Sequence, residues 1–188
     1  MGPGCLTSND GAMTFVAIDF ETADHGPDSA CAIGLVRACD DRIVTRRHYL
    51  VRPPRQSFFF SDIHGITWEK VCDQPTFAAL WPEVQELLLG AEFLASHGAS
   101  FDRRVLTSCC QAAKILPPQI PHVCTVKLAR NTWGIRPTDL SMVCRHLGLR
   151  LNHHEALSDA EACAEIVLAA RRCGADLPVV TGSDNLIP

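Results

Sequence analysis

The chain has 188 residues, of which 47% are apolar and 20% charged, and a formal net charge of -4. That length suits one sizeable core rather than two, and the composition excludes disorder over most of the chain. No apolar run approaches the roughly 20 residues of a membrane span, and a net negative chain has no large nonspecific nucleic-acid footprint of its own.

Residues 1–12 lack the basic start and apolar stretch of a secretory signal, so a cytoplasmic location is expected. The ten cysteines include no Cys-x-x-Cys pair. Several fall inside apolar patterns (Cys31, Cys144, Cys163), where a reduced thiol acts as a small hydrophobe. They are read as core filling, and a zinc-stabilised protein is disfavoured.

Residues 1–13 read as an N-terminal tail. Thr14 to Phe20 reads as a buried strand, Ala30 to Ala38 and Arg42 to Val51 as two more joined by an Asp40-Asp41 turn. Pro53-Pro54 stops the third. Ile63-His64-Gly65-Ile66 reads as a loop or short turn, with a helical turn at Thr67 to Cys72. Helical spacing runs from Thr76 to Leu89 and stops at Gly90. A short strand at Glu92 to Ser96 precedes a helix at Phe101 to Ala113. A strand at Val123 to Val126 precedes a helix at Lys127 to Trp133. Leu140 to Leu147 is helical with Gly148 as its stop, and Ala156 to Cys173 is a long helix ending at Gly174. Residues 175–188 read as a C-terminal tail, leaving 14–174 as one domain. Three hairpin-like strands followed by alternating helices and strands predict an α/β fold: a mixed sheet with a three-strand antiparallel meander and flanking helices.

Three segments carry candidate chemistry. In Asp19-Phe20-Glu21 the two carboxylates point to one face while Phe20 packs on the other. Paired carboxylates repel unless a cation lies between them, although a solvated strand end has the same pattern. In His97-Gly-Ala-Ser-Phe101-Asp102, Asp102 lies at a helix start, where an acid also stabilises the helix N-terminus. In His154-Glu-Ala-Leu-Ser158-Asp159-Ala-Glu161, Ser158 and Glu161 fit a capping box that would begin the helix at Ser158. On a continuous helix, His154 and Asp159 would be about 140° apart. They converge only if His154 lies on the incoming loop and folds back over the helix end.

In this order, Asp19, Glu21, Asp102, His154 and Asp159 resemble the catalytic set of the DEDDh 3'–5' exonucleases. That family includes the proofreading epsilon subunit of bacterial replicative polymerase. Asp19-Phe-Glu21-Thr22 is similar to its first motif, His97-Gly-Ala-Ser-Phe-Asp102 to its second, and His154 with four residues before Asp159 to its third. The resemblance runs from about Thr14 to Arg172 and includes Ile63-His64-Gly65-Ile66-Thr67 and Cys124-Thr-Val-Lys-Leu-Ala-Arg130. Two positions depart from it. Gly98 stands where the family usually has Asn, and Ala23-Asp24 follow Thr22 where it often has Gly.

The resemblance implies a ribonuclease H-like fold and a metal-dependent enzyme releasing 5'-mononucleotides from DNA or RNA 3' ends, with DNA weakly favoured. It implies that Asp19, Glu21, Asp102 and Asp159 hold two divalent ions, Mg²⁺ or Mn²⁺, and that Glu21 helps orient the attacking water. Four carboxylates suit such hard cations. His154 would be the general base, with His153, one residue outside the family spacing, as the competing candidate. The terminal nucleotide would meet Thr22, Ile63, His64, His97 and Phe101. For Phe101, base stacking and core packing are both open, as are phosphate contact and a solvated face for Arg103 and Arg104. A polymerase or repair partner is a further expectation, and a non-catalytic docking module for nucleic-acid ends is the alternative class.

Overall fold

In the computed structural model, residues 13–180 are described. A six-stranded sheet has the order β3-β2-β1-β4-β5-β6, with β1 Thr14–Thr22, β2 Ala30–Cys39, β3 Arg42–Leu50, β4 Phe93–Ser96, β5 His122–Cys124 and β6 Val179–Val180. The first three strands form the expected antiparallel meander. β4 and β5 then add parallel to β1, and β6 closes the far edge antiparallel to β5. The segment from 175 onward, expected as a tail, thus contributes a strand. Ala175 and Leu177 also pack against the core.

Seven helices connect these strands: α1 Ser61–His64, α2 Trp68–Val71, α3 Phe77–Leu88, α4 Ala99–Ala112, α5 Thr125–Trp133, α6 Leu140–Leu147 and α7 Ala156–Arg172. The single-turn α1 overlaps Ile63 and His64 of the segment read as a loop or short turn. Gly65 ends it at φ 70°, a left-handed conformation that glycine adopts at no steric cost.

The pleat of β1 divides the core. Val16, Ile18 and Phe20 face α3 and α4, against Leu80, Trp81, Val84, Val105 and Leu106. Phe15 and Ala17 face α5–α7, against Leu128, Val143, Ile166 and Val167. On that second face the Phe15 and Phe93 rings stack with centroids 5.0 Å apart, joining the parallel strands β1 and β4 at one register position. Both faces of the sheet are therefore covered, as a sheet with parallel crossovers requires. The odd-numbered face of β1 continues past Ala17 to Asp19 and Glu21, so both carboxylates emerge on the side covered by α7.

All nine described cysteines are free thiols, and Cys31, Cys109, Cys110, Cys144 and Cys163 are buried. Burial pushes the Cys31 thiol up to about 12 and Cys109 to about 11, so these groups stay protonated and pack as hydrophobes. Among the described residues no helix is long and apolar enough to cross a membrane.

Candidate active site

A cleft of about 300 Å³ opens at the C-terminal ends of β1 and β4, lined by Asp19, Glu21 and Asp159 together with Phe60, Ile63, His64, Phe101, His153 and His154. Ligands of open α/β sheets commonly bind outside the carboxyl ends of the strands. Here β1 supplies Asp19 and Glu21 two residues apart, and the first turn of α7 supplies Asp159. Gly34 on β2 lets the helix come this close. It is paired with Asp19 across the strands, and a Cβ there would collide with the Ala156 carbonyl at the start of α7.

α7 does not begin as the capping-box pattern predicts. Glu155 caps it instead, accepting from the Ser158 backbone N–H at 3.0 Å, so the helix starts two residues before Ser158. The Ser158 hydroxyl accepts from Asn152 N at 2.7 Å, and Glu161 forms an ion pair with Arg46. Asp159 remains in the first turn.

The loop before α7 folds back as the His154–Asp159 spacing requires. Asp159 Oδ2 accepts from the His154 backbone N–H at 3.1 Å and meets His153 Nδ1 at 3.0 Å. His154 sits at φ 66°, in a left-handed conformation that costs a non-glycine residue on the order of 1 kcal/mol. The two imidazoles stack with centroids 3.9 Å apart.

With Oδ2 held in this way, Asp159 Oδ1 is buried and has no hydrogen-bond partner. A buried acceptor left unpaired is costly, so this atom calls for a cation or donor. Oxygens of Asp19, Glu21 and Asp159 lie within 4.8 Å of one another. Hard oxygen donors at such spacing suit Mg²⁺ or Mn²⁺. A second triplet within the same distance joins His153, His154 and Asp159. No cysteine takes part in either.

Electrostatics agree with this donor set. Burial, followed by the negative charges of Asp102 and Asp159, raises the Asp19 carboxyl well above its ordinary value. Burial and then Asp159 and Asp102 push Glu21 up to about 8. Burial also raises Asp159. Positive charge brought among these acids would favour their ionised forms. Asp102 is 2% exposed, its Oδ1 accepts from Phe20 N at 3.2 Å, and burial moves it up to about 7. It stands behind the cleft rather than lining it.

The predicted nucleotide contacts divide. Ile63 and Phe101 are exposed at the cleft, 54% and 40%, which settles Phe101 against core packing. Arg104 rests its guanidinium over the Phe101 ring. Thr22 and His64 are both present, the ring Nε2 donating to the Thr22 carbonyl at 3.1 Å and Nδ1 accepting from Ile66 N at 3.0 Å. His97 is not brought to the cleft. Its Nδ1 lies 2.9 Å from Thr125 Oγ1 and its Nε2 2.9 Å from the Thr138 carbonyl, so both ring nitrogens tie the end of β4 to α5 and the following loop. Burial lowers its pKa. Gly98 caps α4 at φ 89°, a backbone region that Gly and, less readily, Asn tolerate.

Sequence reasoning missed Phe60 as a cleft residue. Its signal was the run Phe58-Phe59-Phe60 in an otherwise polar segment.

A family model described as Exonuclease, that of RNase T, matches residues 16–167. Exodeoxyribonuclease 10 of Escherichia coli K12 is 34% identical over 145 residues, 72% of this chain and 59% of that protein. The DNA polymerase III epsilon subunit of the same strain is 29% identical over 149 residues, 73% of this chain and 60% of that protein. The chain thus spans about three fifths of the length of these two relatives. A structure described as the nuclease domain of 3'hExo, a DEDDh family member, bound to rAMP, superposes with a TM-score of 0.76 at 21% identity, covering 92% of this chain and 98% of that one. That likeness establishes the ribonuclease H-like fold. With five acidic and histidine positions in motif order and a family match across most of its length, the chain belongs to the DEDDh, or DnaQ-like, exonucleases.

Proposed function

We propose that this chain is a divalent-cation-dependent 3'–5' exonuclease that shortens single-stranded 3' ends and releases 5'-mononucleotides. The observation that carries the reading is the buried, unpartnered Oδ1 of Asp159 in a residue whose carboxylate, with those of Asp19 and Glu21, forms a set of oxygens within 4.8 Å of one another, at the base of a cleft with an aromatic rim. Asp19, Glu21, Asp102 and Asp159 would hold the cations, Mg²⁺ or Mn²⁺. When bound, these offset charge on the attacking and leaving oxygens of the phosphodiester.

The chain's own groups supply the rest. Glu21 orients the attacking water. His154, whose imidazole lines the cleft, accepts its proton as general base. The competing base, His153, already has its Nδ1 directed to Asp159, which leaves His154 as the base and His153 as a support for the carboxylate. Phe101 and Ile63 flank the terminal base and sugar, and Thr22 and His64 shape the floor. Stacking of this kind accepts any base.

DNA is the favoured polymer, supported by the name of the exodeoxyribonuclease relative. The epsilon relative, a DNA polymerase III subunit by name, supports work in replication or repair beside a polymerase, and a cytoplasmic location is part of the same proposal. The domain spans residues 14–174 with the β6 segment added.

The test is digestion of 3'- and 5'-labelled single-stranded DNA and RNA with Mg²⁺, Mn²⁺ or EDTA, alongside Asp19→Ala and His154→Ala. Shortening from the 3' end that needs the metal and is lost in both variants is the expected result. Shortening from the 5' end, or activity that survives EDTA, removes the reading.

A further inference from the structure

Next to the cleft lies an aromatic step that the exonuclease reading has not used. The three consecutive phenylalanines have three different surroundings. Phe58 packs against the cluster around Ile66 and Val71, Phe60 lines the cleft, and Phe59 is 66% exposed. His25, on the loop after β1, meets both outer rings. It stacks on Phe59 with centroids 5.5 Å apart and takes Phe60 edge-on at 5.0 Å. The aromatic surface is therefore continuous from the cleft through Phe60 and His25 to Phe59.

The step is held rigidly. The Phe59 backbone N–H donates to the Ala23 carbonyl at 2.7 Å, joining the two loops at their tips. Below them Arg55 donates to Asp24 through Nε and Nη2, at 2.8 and 3.1 Å, and to Asp28 through Nη1 and Nη2, at 2.9 and 2.6 Å. Asp24, only 6% exposed, also accepts from Gly26 N at 2.7 Å. A Cβ at position 26 would run into the Arg55 guanidinium, so the loop needs glycine to close over the clamp. Fixed, exposed rings give up little conformational entropy when a flat ligand stacks on them.

We propose that His25 and Phe59, with Phe60 as the link to the cleft, form a stacking platform for the nucleobase that precedes the 3'-terminal one. This rests on the exonuclease reading of the cleft. A base fits better than a phosphate, because Arg55, the cation beneath the step, is already paired with two carboxylates. It fits better than a protein partner, because the exposed apolar side chains here, Phe59, Ile63 and Phe101, border the cleft rather than form a broad patch.

The experiment measures binding by fluorescence anisotropy, using the full chain and a short single-stranded DNA, with Ca²⁺ in place of Mg²⁺ and the DNA checked to be intact. One DNA is unmodified and the other has an abasic residue next to its 3'-terminal nucleotide. The wild type is expected to bind the unmodified strand about tenfold more tightly than the abasic one. Phe59→Ala and His25→Ala are expected to bind both strands alike, at the weaker level, and Phe59→Trp to retain the discrimination. Phe59 is exposed, so its variants fold. A wild type that does not discriminate, that binds neither strand, or whose discrimination survives Phe59→Ala overturns the platform. Mg²⁺-dependent cleavage of the unmodified strand is scored separately. Discrimination without cleavage keeps the platform and removes the exonuclease reading, while cleavage without discrimination does the reverse.

Discussion

Gly34 and Asp19 are partners across the β1–β2 pair, and the missing side chain of one sets the surroundings of the other. Because Gly34 has no Cβ, the Ala156 carbonyl can lie against β2, which brings the first turn of α7 and its Asp159 over the Asp19 carboxylate. Gly34→Ala is expected to cost about 1–3 kcal/mol through overpacking. It should also weaken Mn²⁺ binding about tenfold, because the donors move apart. Val84→Ala, on the opposite face of the sheet, serves as control. It should lower the unfolding temperature while leaving Mn²⁺ titration unchanged. Equal Mn²⁺ loss in both variants would show that general destabilisation, not geometry, is responsible.

The two adjacent histidines have separable roles. His153 reaches Asp159 through its ring, whereas His154 reaches it through its backbone N–H. His154→Ala keeps the backbone bond and removes the imidazole, so the expected loss is in kcat, about 10²- to 10⁴-fold as for a general base. His153→Ala removes a ring that orients a metal-holding carboxylate. It should reduce Mg²⁺ affinity by about 10–100-fold, with kcat largely recovered at saturating Mg²⁺. Kinetics as a function of Mg²⁺ concentration separate the two. If saturating Mg²⁺ rescued His154→Ala instead, the assignments would be reversed.

What the sequence revealed was what depends on short-range pattern. The alternation of β1 placed Asp19 and Glu21 on one face, and the same parity in the structure carries Phe15 and Ala17 to the α5–α7 side. The helix stops at Gly148 and the return of the His154 loop were legible for the same reason. What it concealed depends on distant partners. Ser158 and Glu161 have the spacing of a capping box, yet Glu161 is held by Arg46 from β3, and Glu155 takes the cap. His97 belongs to a motif, but Thr125 and Thr138, 28 and 41 residues away in the chain, claim both ring nitrogens. The positions of Phe59 and Phe60 follow from Arg55 clamping a loop 27 to 31 residues earlier, which no local pattern reports.

Gly98 departs from the residue usual in its motif for a reason visible in its backbone. A Cβ there would meet nothing within 4 Å, but φ is 89°, so the constraint is torsional and not one of space. Gly98→Ala is expected to destabilise the protein by about 1–2 kcal/mol, and Gly98→Asn by less, because Asn tolerates left-handed backbone. Both should keep Mg²⁺-dependent activity at temperatures where they are folded. Urea unfolding ranks the three proteins. Equal stability of the Ala and Asn variants would refute the torsional account.

Glu21 links the metal site to stability. Burial first, then Asp159 and Asp102, raise its folded-state value from 4.5 to about 8. Between those values the native state binds a proton that the unfolded chain has released. The slope of unfolding free energy with pH is therefore negative, and this group's contribution falls as pH rises toward 8. In EDTA, Glu21→Gln should consequently be more stable than the wild type at pH 8, by about 2–4 °C for each kcal/mol relieved, with the difference closing toward pH 4.5. Mg²⁺ should reverse the order at pH 8, since it stabilises the ionised wild-type site and binds the amide poorly. Thermal unfolding of both proteins across this pH range, with and without Mg²⁺, gives the answer. A Glu21→Gln gain that persists undiminished at pH 4.5 would mean that the relief is steric, and that the carboxylates do not repel one another in the metal-free site.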